Sequence, residues 1–188
     1  CCGKLHKNTV EGDYMEFIRL RNVSSELFTH SWEHYKISFP ENEQRTLKAQ
    51  TALMPEEDYY YCVITDNGSA VGSILYWQSG TVIYVEHFFI YPAVRGGGIG
   101  ARSLRHLMGK ACTVILEINP PKDSISIRRR AFYERCGFTA NPFRHLHPPY
   151  RTGYAPHSLV IMSAPEALSE KQYGDFYSFL CRRVMKYK

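Results

Sequence analysis

Residues 88–108 read FFIYPAVRGGGIGARSLRHLM: an apolar run, a Pro-bearing turn, four glycines in five positions, then a helix-forming segment. Glycine permits positive φ and lets a ligand approach the backbone closely. A glycine loop that opens a helix also presents unpaired N–H groups and the positive end of the helix dipole to an anion. The stretch constrains the fold as well. The apolar strand TVILEI, 113–118, follows the helix, and a strand-helix-strand unit demands a parallel pair.

The segment before the glycines demands the opposite pairing. YYYCVITDNGSAVGSILYWQSGTVIYVEHFFIY reads as three strands joined by turns at Asn67-Gly68 and Ser79-Gly80. MEFIRLRNV, from Met15, alternates as a first strand. Helices are expected over SSELFTHSWEHYKISF, capped by Ser24 or Ser25, and over about 42–53, before Pro55. DSISIRRRAFYERCG reads as another, capped by Asp123 or Ser124 and ended by Gly137. HSLVIMS is a late strand, and Tyr173, Phe176, Tyr177, Leu180, Cys181 and Val184 share one face of a last helix. That face reads as core or as a homodimer contact. The predicted fold is α+β: a mixed, mostly antiparallel central sheet with helices on both faces.

A chain of 188 residues, 44% hydrophobic, suits one domain with its own core. The expected division is 1–14 as an N-terminal extension or remnant, 15–165 as the main domain and 166–188 as a C-terminal helical extension. No apolar run approaches the ~20 residues of a membrane span, and the polar start lacks the apolar segment of a signal peptide. Six scattered cysteines with no CxxC pair argue for reduced thiols and a cytoplasmic setting rather than a disulfide framework or zinc site.

Charge is uneven along the chain. Residues 1–94 hold 7 Lys/Arg against 12 Asp/Glu, whereas 95–151 hold 11 against 3. The basic excess starts at the glycines and suggests an anionic ligand, a nucleic-acid surface or a solvated face. For the glycine loop the best-fitting ligand is a phosphate or pyrophosphate. A nucleoside-triphosphate loop is disfavoured, because no Gly-Lys-Ser/Thr follows. A dinucleotide fingerprint is a rival: Gly96, Gly98 and Ala101 satisfy G-x-G-x-x-A, and Glu117 ends a strand about twenty residues on. Against it, five residues separate strand from glycine, and three strands are already spent on an antiparallel meander.

A third reading fits more of the chain. RGGGIGA matches the (Q/R)-x-x-G-x-(G/A) signature of the GNAT superfamily of acyl-CoA-dependent N-acyltransferases, and AFYERCGF resembles that family's second signature. The resemblance covers roughly Met15 to Ser163. It implies an N-acetyltransferase that uses acetyl-CoA and acts on a primary amine, with neither nucleic acid nor membrane as partner. A non-catalytic acyl-CoA-binding module of the same fold is the alternative. By the same resemblance, backbone amides of Gly96, Gly97, Gly98, Ile99, Gly100 and Ala101 hold the CoA pyrophosphate, and Arg95 starts the loop. Arg129 and Arg130 precede Tyr133 on its side of the helix and read either as reaching CoA phosphates or as a solvated Arg face. The family often carries Asn seven residues before the tyrosine, where it contacts the cofactor; this chain has Ser126 there, which the resemblance counts among the cofactor residues. The segment Phe88-Phe89-Ile90 corresponds to the strand whose N–H polarises the thioester carbonyl.

The resemblance makes Tyr133 the general acid for the departing thiolate. Glu86 ranks first as general base, Glu117 second and His87 third; some members use water. Glu86 and His87 interrupt an apolar strand, and strict alternation sends them to opposite faces, so only one serves the site unless a bulge intervenes. A structural ion pair is the competing reading of Glu86. No metal is expected: His145, His147 and His157 have no acid or Cys near them in sequence and read as loop histidines lining the acceptor pocket or solvent. Glu41, Glu43, Glu56, Glu57 and Asp58 make the N-terminal half acidic, which favours a cationic amine acceptor, small or peptide.

Overall fold

The structure is a computed structural model and describes residues 14–187. The expected extension at 1–14 therefore falls almost wholly outside the described residues. The elements are β1 (Met15–Leu20), α1 (Glu26–Ser38), α2 (Leu47–Leu53), β2 (Tyr59–Asp66), β3 (Ser69–Ser79), β4 (Val82–Ile90), α3 (Ile99–Met108), β5 (Thr113–Ile118), α4 (Ser124–Arg135), β6 (Thr139–Ala140), β7 (His145–His147), β8 (His157–Ala164) and α5 (Glu170–Arg182), with three short 3-10 turns. The strands form one sheet in the order β1-β2-β3-β4-β5-β8-β6, with β7 also on β8. Every pairing is antiparallel except β4 with β5. This is the expected mixed sheet.

Local chemistry explains the boundaries. Ser25 caps α1 by accepting from Phe28 N, and Asp123 caps α4 with Ser126 completing the capping box. Asn67 and Gly68 take φ of 49° and 80°, the positive values a two-residue hairpin turn needs.

Side chains leave the sheet in two apolar layers. Phe28, Trp32, Tyr35, Leu53, Tyr59, Trp77, Phe176 and Leu180 pack on the face covered by α1, α2 and α5. Ile74, Ile83, Leu104, Leu107, Val114, Leu116 and Tyr133 pack on the face covered by α3 and α4. Of the last-helix face read as core or dimer contact, Phe176, Leu180 and Val184 belong to this chain's own core, Tyr173 and Tyr177 pack against it, and Cys181 is exposed. No helix among the described residues is long and apolar enough to cross a membrane.

Two irregularities in β4 open the middle of the sheet. Its register with β3 shifts between Leu75 and Tyr76, which pair with His87 and Val85, leaving Glu86 as the extra residue of a bulge. Its pairing with β5 ends at Val85–Leu116, although both strands continue. Beyond Val85 the two parallel strands splay, and the edge of β4 facing β5 has no strand partner.

Candidate active site

A cavity of about 700 Å³ fills the splay. At one end lie Arg95, Gly96, Gly98, Ile99, Gly100 and Ala101, at the start of α3. No side chain caps that helix, so its first N–H groups face the cavity unpaired. Gly98 sits there at φ 73° and Gly96 at φ 92°, and a Cβ on either would meet nothing within 4 Å. Gly100 differs: a Cβ there would come within 3.3 Å of Phe132. Arg129, Arg135 and Tyr133 also line this end.

The expected cofactor residues divide. Phe88, Phe89 and Ile90 line the cavity along the unpaired edge of β4, and Arg95 Nε donates to the Ile90 carbonyl at 2.9 Å. Gly97 is adjacent but not part of the lining. Arg130 is turned away and donates to Glu134 at 2.8 Å; its neighbour Arg129 is the one at the cavity. Ser126 is buried in the α4 cap, where its Oγ accepts from Lys122 N and Asp123 N. Its hydroxyl is committed to that cap, and it is not among the residues lining the cavity.

Tyr133 is buried in the α3/α4 layer with its ring against Phe138, and burial pushes its hydroxyl up to about 12. It therefore holds its proton at neutral pH.

The far end of the cavity opens on the other face, among Phe39, Glu43, Glu86, His87, Glu117, His147, Tyr150 and His157. Here the bulge matters. Glu86 contacts Trp77 and His87 contacts Tyr35 and Phe39, all in the α1/α2/α5 layer, so both residues turn to the same face. Strict alternation is broken at that point.

The Glu86 carboxylate is out of solvent. Arg45 Nε donates to its Oε1 at 2.7 Å and Trp77 Nε1 to its Oε2 at 2.9 Å. Burial would raise it, but the Arg45 cation outweighs that and holds it below the usual carboxylate range. Arg45 in turn donates to the carbonyls of Val184 and Tyr187. Since the Glu86 side chain is fully covered yet the residue is partly exposed, what it shows the cavity is backbone. His87 Nε2 donates to the Glu43 carbonyl at 2.8 Å, leaving Nδ1 buried without a partner. Burial lowers this imidazole to about 4, over the opposing pull of Glu86.

Glu117 lies on the same face. It accepts from Tyr84 Oη at 2.6 Å and from His145 Nε2, while His147 Nε2 stands 3.7 Å away. Burial raises its carboxyl, but the imidazoles of His147 and His145 and the Tyr84 hydroxyl pull it below the usual range. The histidines read as loop residues are on strands, β7 for His145 and His147 and the start of β8 for His157, and Glu117 is the acid they lacked in sequence. His145 is sequestered by Glu117 and Tyr173, whereas His147 and His157 line the cavity.

Most N-terminal acids are already neutralised: Glu41 by Arg151, Glu56 and Asp58 by Arg183, Glu57 by Arg21. Of the five only Glu43 reaches the cavity.

A mostly antiparallel sheet split between its two parallel strands, with a glycine-opened helix at the split, defines an acyl-CoA-type acyltransferase fold. The chain belongs to the acetyltransferase (GNAT) family, whose sequence profile matches residues 24–138. A candidate GNAT acetyltransferase from Bacteroides thetaiotaomicron is 30% identical over 92% of this chain and 99% of its own, with a TM-score of 0.85. The ribosomal-protein-S18-alanine N-acetyltransferase of Escherichia coli (18% identity, 84% and 97% covered, TM-score 0.55) shares the fold. So does a candidate acetyltransferase of Salmonella typhimurium solved with acetyl-CoA (16% identity, 83% and 96% covered, TM-score 0.55). No curated protein matches this chain in sequence.

Proposed function

We propose that the protein transfers an acetyl group from acetyl-CoA to a primary amine, with both substrates bound at once. One observation carries this reading. The cavity joins an uncapped helix N-terminus on one face of the sheet to a cluster of titratable side chains on the other, through the gap between β4 and β5. Donor and acceptor enter from opposite faces and meet in the gap.

The residues fit the donor. The empty space over Gly96 and Gly98 leaves room for a pyrophosphate against the amides of 96–101, and Arg95, Arg129 and Arg135 supply cations. When bound, acetyl-CoA supplies the acyl group, whose bond to sulfur breaks as its bond to the amine nitrogen forms. The unpaired β4 edge at Phe88–Ile90 offers an N–H to the reacting carbonyl oxygen. Tyr133 gives its proton to the departing sulfur. Between the two carboxylates expected as bases, the support favours the neighbourhood of Glu117: the Glu86 side chain is fully covered and paired with the Arg45 cation, whereas Glu117 stands 3.7 Å from His147, which lines the cavity. The dinucleotide reading loses its ribose-binding acid, since Glu117 is bound inside the sheet by Tyr84 and His145.

The test is thermal shift with acetyl-CoA and with NAD(H), then free-thiol release over a panel of ethanolamine, putrescine and alaninamide. Stabilisation by acetyl-CoA followed by amine-dependent thiol release is expected. Stabilisation by NAD(H) alone overturns the reading, and binding of acetyl-CoA without turnover of any amine points to the non-catalytic module.

A further inference from the structure

We propose that His147 is the catalytic base of this site and that Glu117 is its positioning residue; the inference rests on the acetyltransferase reading above. His147 is 1% exposed, yet neither ring nitrogen has a hydrogen-bond partner among the described residues, and the ring lines the cavity. A buried imidazole with two unsatisfied nitrogens is costly unless something completes it. The cavity it lines is where an amine would have to approach.

The other candidates are committed elsewhere. Glu86 has both oxygens occupied and its charge met by Arg45. Glu117 has both oxygens engaged by Tyr84 and His145. His87 has one free nitrogen, but an imidazolium there would be buried near the Arg45 cation, and its neighbouring carboxylate is the one Arg45 already neutralises. His147 is in the opposite situation. The Glu117 carboxylate at 3.7 Å is met by the His145 imidazole and the Tyr84 hydroxyl but by no Lys or Arg among the described residues, so a proton arriving on His147 meets an anion that no permanent cation holds. The groups facing His147 are Glu117 from β5, His87 from β4, His157 from β8, Tyr150 beyond β7, and His145 on its own strand. Glu117 is the only anion among them.

The proton count closes. His147 takes one proton from the attacking amine, Tyr133 gives one to the departing sulfur, and one proton passing from imidazolium to phenolate through solvent restores both groups. The carbonyl carbon gains nitrogen and loses sulfur.

Two variants test this. His147→Gln keeps a polar side chain of similar reach but removes basicity. With whichever panel amine wild type accepts, kcat/KM should fall about 10²-fold or more, while acetyl-CoA still raises the melting temperature as in wild type. The acid-side inflection of the pH–rate profile should disappear. In Glu117→Gln the inflection should move to lower pH, because the anion that favours imidazolium is gone. The same downward move should appear in an NMR titration of the His147 ring without any substrate, a readout that survives if His147→Gln folds poorly. A wild-type-like profile in His147→Gln, or a His147 titration unmoved by Glu117→Gln, overturns the proposal while leaving the acetyltransferase reading intact. Failure of wild type to release thiol with any amine overturns that reading, and the base assignment with it.

Discussion

Arg45 and Glu86 form an ion pair at 2.7 Å with 1% and 0% of their side chains exposed, although they stand 41 positions apart in the chain. The guanidinium is satisfied further by two main-chain carbonyls. A pair this dry contributes little against an apolar replacement but is costly to break from one side.

Glu86→Gln should therefore destabilise the protein by about 3 kcal/mol, since it leaves a cation buried without its counter-charge. The double variant Arg45→Met/Glu86→Leu should recover much of that loss. Urea unfolding of the three proteins measures it. If Glu86→Gln is as stable as wild type but slow in turnover, Glu86 acts on substrate and its role is not structural.

Gly98→Asp should abolish stabilisation by acetyl-CoA. It puts a side chain at φ 73°, costing about 1–2 kcal/mol, and a negative charge at an unpaired helix N-terminus. Wild type should gain about 2.7 kcal/mol at a ligand concentration one hundred times its Kd. Calorimetric titration of both proteins decides; equal affinity would move the phosphate site elsewhere.

The legibility of such features in the sequence varied with their range. Asn67-Gly68, Ser79-Gly80 and Asp123 act through residues within one turn of themselves, so the hairpins and the α4 cap could be read directly. The bulge at Glu86 exists only relative to β3, so alternation alone sends Glu86 and His87 to opposite faces, and only the pairing of β4 with β3 shows that they share one. An acid in an apolar strand did call for a cation, but nothing local in ENEQRTLKAQ marked Arg45 as that cation. His145 and His147 have no acid near them in sequence because Glu117 is 28 and 30 positions back and comes to them only through the pairing of β8 with both β5 and β7. Ser126 was read by analogy with a ligand contact, and its position three residues after Asp123 signals a cap equally well.

Tyr133→Phe should leave folding and acetyl-CoA affinity unchanged and lower kcat by about 10²-fold. With its hydroxyl at about 12, Tyr133 stays protonated through the neutral range, so the loss should be nearly constant from pH 6 to pH 9. Steady-state thiol release across that range is the measurement. A loss that grows steeply with pH would assign the proton to another group.

His87 should make stability fall in mild acid. Above its ordinary value of 6.5 the ring is neutral whether the chain is folded or not. As pH drops toward about 4, the unfolded chain takes a proton that the buried ring refuses, and unfolding becomes easier by up to about 3 kcal/mol. Melting curves of wild type and His87→Asn between pH 7 and pH 4 should converge toward the acid end. Parallel curves would mean that His87 titrates normally in the folded protein.

The carbonyls of Val184 and Tyr187 on the Arg45 guanidinium tie the last described turn of the chain to a strand formed by its middle. During synthesis, Glu86 and its bulge leave the ribosome long before those carbonyls do. The guanidinium that holds Glu86 thus gains its last two partners only when residues 184–187 have emerged. The order of emergence keeps the acceptor half of the site unfinished until nearly the whole described chain has been translated.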